Sequence, residues 1–332
     1  MTTSTAQVQT TVGYWQLVRD NRNFRYLWLG QIVSLLGDWF NLIASAALIG
    51  LLTQSGLAIG SLFVVRMLAP FLISPIAGVA ADRYNRKHIL IITDIARAVT
   101  VLGFLLVRSA DQVWLLYALT AVQLAISGFF FPARTAILPD VVSSQELGAA
   151  NALSSATWSV MLALGAALGG LVSGIWGIYP AFIIDAATFV LSALLLTQIH
   201  IVSVPGIAGD DKTIGAAIRE YVDGLRYLRR HLDILTISLH KAVNALILSS
   251  GFQVLQVSIA QSYFVMGEGG GVSLGLMFAV AGVGTGVGPI VARRYTGDRN
   301  RELRWAIAAG YIIGGAGLAL TAPLWNFGTV LA

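Results

Sequence analysis

Polar side chains recur on one helical face near the start of the chain. Gln31, Ser34, Asp38, Asn41 and Ser45 follow one another at intervals of three or four residues within a largely apolar segment. This spacing places side chains on one face of an α-helix. The pattern predicts a cavity wall in which Asp38 binds a proton or a cation, or alternatively a hydrogen-bonded seam between two helices.

Other ionisable side chains also interrupt apolar segments, where each costs about 2.5 to 3.5 kcal/mol at the centre of a bilayer. These side chains are Arg66, Asp94, Arg97, Asp185 and Lys241. We expect Asp94 and Arg97, which are three residues apart, to pair with each other. Arg66 is the first candidate partner of Asp38, and the sequence leaves this pairing open.

Several further side chains are candidates for a cavity. Lys241 either reaches the cytoplasmic surface through its long side chain or contacts a substrate. Asp185 either contacts a substrate or packs between helices. The remaining polar and aromatic candidates are Gln123, Trp158, Gln253 and the run Phe129–Phe131, whose aromatic members line an apolar cavity or serve in packing.

The elements that position these residues are membrane spans. The chain has 332 residues, of which 56% are hydrophobic and 11% are charged, against about 25% charged in soluble domains. Its apolar residues occur in runs of about 20, the length that crosses a bilayer. This composition excludes an ordinary soluble protein, and the absence of cysteine excludes disulfides, thiolate catalysis and cysteine-ligated metals.

Nine spans are predicted from these apolar runs. They cover residues 26–52, 57–80, 88–108, 112–134, 147–176, 179–199, 233–264, 272–292 and 303–323. The fold class predicted is all-α integral membrane, with a six-helix bundle over 1–199 and about three helices of an incomplete bundle over 233–332. The middle loop, 200–232, contains an amphipathic helix that lies on the membrane interface or packs on the ends of the bundle.

Basic residues indicate the orientation. Of the 21 Lys and Arg residues, 17 lie in segments that alternate spans place on one side, Arg134 among them. Cytoplasmic loops carry such an excess, so we expect a cytoplasmic N-terminus. The net charge of +5 is thereby explained without a nucleic-acid partner.

The loop between the second and third spans carries a recognisable motif. Its residues are Gly78, Asp82, Arg83, Asn85, Arg86 and Lys87. This spacing resembles the signature loop of the major facilitator superfamily. Asn85 stands where that family usually has glycine, and we expect it to adopt the left-handed turn that asparagine tolerates.

Further motifs resemble the bacterial exporter branch of that superfamily that includes the enterobactin exporter. They are the segments 21–28, 37–39, 131–134 and 185–189, together with Gly165, Gly169 and Gly170 in the fifth span. The three glycines are similar to the antiporter motif, although Ala166 replaces its proline. The pair Gly165 and Gly169, and similar pairs within 282–288 and 310–314, also predict close helix contacts.

The resemblance implies the major facilitator fold of six plus six helices. Only three spans follow the middle loop, so the sequence predicts a chain truncated at its C-terminus, with a natural nine-span variant as the alternative. In the family, the signature loop is a cytoplasmic latch. By resemblance Asp82 meets a helix of the second half, while Arg83, Arg86 and Lys87 pair with neighbouring acids.

The function implied is secondary export of a small drug-like or siderophore-like molecule across the bacterial cytoplasmic membrane. Alternating access and exchange for protons are expected, and the intact protein is expected to be a monomer in the lipid bilayer. The alternative is a truncated fragment that does not transport.

Other functional classes find little support in the sequence. Asp38, Asp94 and Asp185 lie on separate predicted helices, and the histidines lack metal-ligand spacing, which argues against an enzyme or a metal site. The glycine run 282–288 follows no strand and lacks a Gly-Lys-Ser/Thr sequence, so it predicts no phosphate loop. No cofactor is expected.

Overall fold

The computed structural model describes residues 13–200, 214–244, 250–296, 300–321 and 326–331, which contain helices and no strands. The helices of the first part are α1 Tyr14–Asp20, α2 Arg22–Thr53, α3 Gly56–Arg83, α4 Arg86–Gly103, α5 Val113–Val141, α6 Leu147–Leu171 and α7 Ile178–Thr197. Those of the second part are α8 Ile214–Arg230, α9 Leu232–Val243, α10 Ser250–Ser262, α11 Gly271–Thr296, α12 Asn300–Thr321 and α13 Phe327–Leu331.

Within these described ranges, seven helical segments are long and apolar enough to cross a membrane. Six correspond to α2–α7, which are the first six predicted spans. The seventh, Glu268–Gly288, lies mostly in α11, the eighth predicted span. The predicted seventh span is not one described helix, because α9 and α10 cover it with residues 245–249 between them outside the description. α12 occupies the position of the ninth predicted span, and α8 covers the predicted amphipathic segment.

Polar side chains cap the first spans. Asn21 accepts a hydrogen bond from the backbone N–H of Phe24 at 2.9 Å and so begins α2. Asn85 accepts one from His88 at 3.2 Å and begins α4. Its φ is −62°, so the expected left-handed turn at Asn85 is wrong. Asparagine serves this position because its side chain satisfies an unpaired N–H at the helix start.

α2 lies at the centre of the N-terminal bundle. It packs on both α6 and α7, while α5 packs on α3 and α4. Its second half, from Phe40 to Gly50, is buried throughout. Aromatic rings fill the neighbouring core, where Phe104 and Phe182 stack with centroids 5.0 Å apart.

Glycines bring the fifth and eighth predicted spans, α6 and α11, into backbone contact. A Cβ atom on Gly170 would lie 2.6 Å from the Cα of Gly275 and equally close to the backbone oxygen of Gly271. On the same helix, Gly165 lies against Trp39 and Gly169 against Phe40, with a Cβ 2.7 and 3.0 Å from their rings.

The glycines of the other predicted pairs differ in whether they contact a neighbouring helix. Gly282 lies against the backbone of Ala163, where a Cβ would approach within 2.6 Å. A Cβ on Gly284, Gly310 or Gly314 would meet no described atom within 4 Å. The expected close helix contacts are therefore present at the α6 glycines and at Gly282. Among the described residues, Gly284, Gly310 and Gly314 make no such contact.

Gly170→Ala is expected to destabilise the protein by about 1 to 3 kcal/mol, because the added methyl group meets backbone that cannot rotate away. Gly148→Ala in the same helix is the matched control, since a Cβ there meets nothing within 4 Å. Thermal unfolding of the detergent-purified protein, followed by tryptophan fluorescence, measures both. Equal unfolding midpoints for the two variants would contradict the packing described here.

Candidate functional site

A small polar cavity lies between α2, α4, α5 and α6. Its volume is about 90 Å³. The residues that line it are Gln31, Ser34, Leu35, Asp38, Arg97, Phe130, Phe131, Arg134 and Trp158. The first part of the polar face of α2 therefore borders a cavity.

The second part of that face is a buried seam. Asn41 and Ser45 are buried, and the Ser45 hydroxyl donates to the Asn41 side-chain oxygen at 3.3 Å. The two alternatives that the sequence left open thus both occur, on successive turns of one helix.

The guanidinium of Arg97 is the most enclosed charge bordering the cavity. Its Nη2 donates to the carboxylate of Asp94, and the Ser34 hydroxyl lies 3.4 Å from the same nitrogen. The rings of Phe130 and Phe189 flank the guanidinium, with centroids 4.4 and 4.2 Å away. The expected pairing of Asp94 with Arg97 is therefore present, and it neutralises Arg97 inside the bundle.

Asp38 contacts Arg97, where the sequence suggested Arg66. Its Oδ2 is 3.8 Å from Arg97 Nη1, and its side chain is 23% exposed, against 0% for Asp94. In the described part of the chain, Arg66 makes no ion pair, although Asp38 and Asp185 attract it electrostatically from further away. Asp38 is the carboxylate that is accessible from the cavity.

Arg134 is a cavity residue, although its sequence position predicts a cytoplasmic loop. α5 continues to Val141, so Arg134 lies within the helix and donates to Gln31 Oε1 and, at 3.1 Å, to Ser154 Oγ. Its Nε is buried and has no hydrogen-bond partner. The prediction ended this span too early, since α5 continues through Pro132 and Pro139 although proline usually ends a helix.

Asp185 lies in a separate, closed cluster between α7 and α2. It is fully buried, and its carboxylate and the Thr188 hydroxyl occupy the space where a Cβ on Gly37 would stand. The Asn41 side chain interacts with this carboxyl, yet neither Asp185 oxygen is in a well-aligned hydrogen bond. Glycine at 37 lets the two helices meet over a buried acid.

Three further predicted site residues lie away from the polar cavity. Gln123 is buried in α5, and its Oε1 has no hydrogen-bond partner. Gln253 is half-buried in α10, and Lys241 is exposed on α9. A larger, mostly apolar cavity of about 570 Å³ lies among α10–α13, where Gln256 rather than Gln253 is part of the lining.

The signature loop attaches the corner between α3 and α4 to the ends of two other helices. Arg86 forms an ion pair with Asp140 of α5 at 2.7 Å. Lys87 Nζ donates to the carbonyls of Thr197 and Ile199, at 2.8 and 2.7 Å, where α7 ends. Arg86 thus pairs with an acid as expected, whereas Lys87 binds helix-end carbonyls, which carry partial negative charge.

Two other residues of the signature loop are not closely packed. Asp82 is exposed, and a Cβ on Gly78 would meet no described atom within 4 Å. The structure therefore does not require glycine at position 78 for helix contact.

Apolar helices of membrane-spanning length around a charged internal cavity define a multi-pass helical membrane protein. Residues 27–332 match the Major Facilitator Superfamily. The chain belongs to this family of transporters.

Curated relatives include exporters. The chain is 30% identical over 236 residues to the uncharacterized MFS-type transporter YfiS of Bacillus subtilis, covering 71% of this chain and 56% of YfiS. It is 25% identical to the putative bacilysin exporter BacE of Bacillus subtilis (85% and 69% covered). It is also 25% identical to macrolide efflux protein A of Streptococcus pyogenes (65% and 53%). The chain thus spans roughly half to two thirds of the length of these relatives, whose names point to a transporter rather than an enzyme.

A solved structure has the same fold. A crystal structure of a mutant of the peptide transporter POT superposes with a TM-score of 0.55 at 12% identity, covering 88% of this chain and 74% of that one. At this identity the likeness concerns the fold alone.

Breaking the buried ion pair is expected to cost about 3 to 5 kcal/mol, because removing one partner leaves an uncompensated charge in an apolar bundle. Asp94→Asn and Arg97→Gln should each lower the unfolding midpoint strongly in detergent. The double variant should recover part of the loss, since both charges are then removed together. Strictly additive effects in this cycle would show that the two side chains do not interact.

Proposed function

We propose that this chain acts as a secondary exporter that expels a small organic molecule across the bacterial cytoplasmic membrane in exchange for protons. Asp38 is the proposed coupling carboxylate. The observation that carries this assignment is its position, because Asp38 borders the cavity and is partly exposed while Asp94 and Asp185 are fully buried. Relatives named as exporters support the direction of transport.

The contacts of Arg97 suggest how a proton alters the cavity. Arg97 lies between Asp94, which it contacts directly, and Asp38 at 3.8 Å. When Asp38 takes up a proton, it loses its negative charge and no longer attracts Arg97 electrostatically. The guanidinium then stays paired with Asp94 alone. The cavity then loses its exposed negative charge, and a cationic group held there is released. Deprotonation restores the charge and the binding.

The energy for this exchange comes from the electrochemical gradient of protons across the membrane. One elementary charge that crosses 100 mV yields about 2.3 kcal/mol, which suffices for moderate accumulation without ATP. Transporters of this kind rock two bundles about a central site. The backbone contact between α6 and α11 is a candidate sliding contact for that motion.

The alternative is a chain that does not transport. The chain spans 56% of YfiS and 69% of BacE. Membrane insertion and transport must therefore be measured separately.

The proposed orientation places the N-terminus in the cytoplasm, with the α3–α4 corner inside and the α4–α5 loop outside. The support is the excess of basic residues in the segments proposed to be cytoplasmic, as is usual for bacterial membrane proteins.

Single-cysteine labelling tests this orientation directly, because the chain contains no cysteine. Asp111→Cys and Tyr84→Cys lie at exposed positions of the two loops. A membrane-impermeant maleimide should label the first in intact cells and the second only after permeabilisation. The reverse pattern would invert the proposed topology.

Asp38→Asn is expected to abolish transport driven by a pH gradient, because an amide cannot carry the proton, while the amount of protein in the membrane stays unchanged. Everted vesicles to which labelled bacilysin or a labelled macrolide is added from outside provide the measurement, and a protonophore should abolish wild-type uptake. Asp111→Asn makes the same chemical change at an exposed loop position and is the matched control. Undiminished uptake by Asp38→Asn would refute the coupling role.

A wild-type chain that is folded and inserted but transports neither probe would favour the non-transporting alternative.

A further inference from the structure

One helix of the chain takes no part in the exporter mechanism proposed above. α8 (Ile214–Arg230) packs on α3 and continues through His231 into α9. It is not among the segments of the described ranges that are apolar enough to cross a membrane. Its sequence carries arginines at 219, 226, 229 and 230 but acids only at 220 and 223. α8 is thus a basic helix beside the spans rather than a span itself.

The apolar side chains of α8 are not covered by protein. Val222 and Leu225 are 42% and 49% exposed, and none of the α8 side chains that the structure describes is buried. The short helix α1 shows the contrasting case, because its Leu17 is completely buried against the N-terminal bundle. The sequence left open whether the amphipathic segment lies on the membrane interface or packs on the ends of the bundle. The exposure of α8 favours the interface.

The arginines of α8 lie beside these apolar side chains. Arg219, Arg226 and Arg230 follow one another at intervals of seven and four residues, which places them in one stripe along the helix. Arg229 lies four residues after Leu225, at the border between this basic stripe and the apolar face. A long arginine side chain at such a border lays its carbon stem on apolar surface and keeps its guanidinium in the polar layer. This distribution is typical of helices that lie in the plane of a membrane surface.

Two of these arginines are available to a partner outside the protein. Arg226 forms an exposed ion pair with Asp223 at 2.6 Å, which contributes little in water. Arg229 and Arg230 are exposed, and neither forms an ion pair in the part of the chain that the structure describes. A planar guanidinium binds phosphate oxygens through two parallel hydrogen bonds. A surface of phosphate groups with hydrocarbon beneath it therefore complements both the charges and the apolar face of α8.

We propose that α8 binds the anionic phospholipid headgroups of the membrane surface, with Arg229 and Arg230 on the phosphates and Val222 and Leu225 at the acyl boundary. Helices of this kind bury their apolar face by about 5 to 10 Å. The proposed orientation puts α8 at the cytoplasmic leaflet, where anionic lipids attract basic segments next to a span. In sequence, α8 lies between the N-terminal bundle and α9, so this binding ties the connection between the two parts of the chain to the lipid surface.

A fluorescent label on α8 reports this binding in the full chain. Because the protein contains no cysteine, Leu225→Cys provides one site for an environment-sensitive nitrobenzoxadiazole label. The labelled chain is reconstituted into vesicles of phosphatidylcholine alone or of phosphatidylcholine with phosphatidylglycerol. Acrylamide, an uncharged quencher present on both sides of the membrane, measures exposure to water, and lipids with a nitroxide on the acyl chain measure exposure to lipid.

With phosphatidylglycerol present, the label at Leu225→Cys should lose acrylamide quenching and gain nitroxide quenching. High salt should reverse both changes, because it screens exposed charges. A label on the opposite face is the matched control. Tyr227 is exposed and lies two residues after Leu225, about 200° further round the helix. A label at Tyr227→Cys should stay accessible to acrylamide in both kinds of vesicle.

Arginine substitutions test the role of the charges. Each of Arg229→Gln and Arg230→Gln should lower the ratio of membrane-bound to free α8 about fivefold in the anionic vesicles, the equivalent of about 1 kcal/mol per basic residue near such a surface. Arg19→Gln and Arg22→Gln, at exposed positions outside α8, should leave this ratio unchanged.

Three results would overturn the proposal. Equal quenching of the label at Leu225→Cys in the two kinds of vesicle would exclude selectivity for anionic lipid. A label protected from acrylamide and from the nitroxide alike would show that α8 packs on protein instead. Binding that persists unchanged when Arg229→Gln and Arg230→Gln are combined would exclude these arginines as the headgroup ligands. None of these measurements uses a substrate or a proton gradient, so their outcome is independent of the transport test of Asp38→Asn.

Discussion

The burial of one guanidinium in an apolar bundle constrains most of the N-terminal half. Arg97 has 1% of its side chain exposed, and a charge in this position must be paired and surrounded. Four helices supply the groups that pair with the guanidinium or surround it. Asp94 comes from its own helix α4, Asp38 from α2, Phe130 from α5 and Phe189 from α7. A displacement of any of these helices would alter the environment of the charge, so the ion pair couples their positions.

The cavity follows from this arrangement. Because Asp94 is the closer partner of Arg97, Asp38 keeps only a 3.8 Å contact with the guanidinium and remains partly exposed. The closed cluster around Asp185 differs in kind, since it has no access and lies where α2 and α7 touch. Asp38 and Asp185 both lie in apolar helices, yet they differ in exposure. The helices around Asp185 pack in direct contact, whereas those around Asp38 leave a cavity.

Local features of the sequence predicted much of this. The first six spans, the common face of Gln31, Ser34 and Asp38 and the pairing of Asp94 with Arg97 all depend on helical periodicity within one segment. One pairing that the sequence left open and two errors have tertiary or contextual causes. Asp38 meets Arg97 because of how α2 and α4 pack, Arg134 enters the cavity because α5 continues through two prolines, and Asn85 acts through its side chain rather than through a left-handed backbone.

The contact between α6 and α11 has a mechanical consequence. This contact is a line rather than a point, because Gly282 of α11 lies against the backbone of Ala163, seven residues before Gly170 on α6. Seven residues of helix span about 10 Å. A seam of that length resists a tilt of one helix axis against the other, whereas small residues along it leave few side chains to block a slide of the two helices along each other. Trp158, which lines the polar cavity, lies five residues before Ala163 on the same helix, so a slide of α11 along the seam acts directly beside the cavity wall.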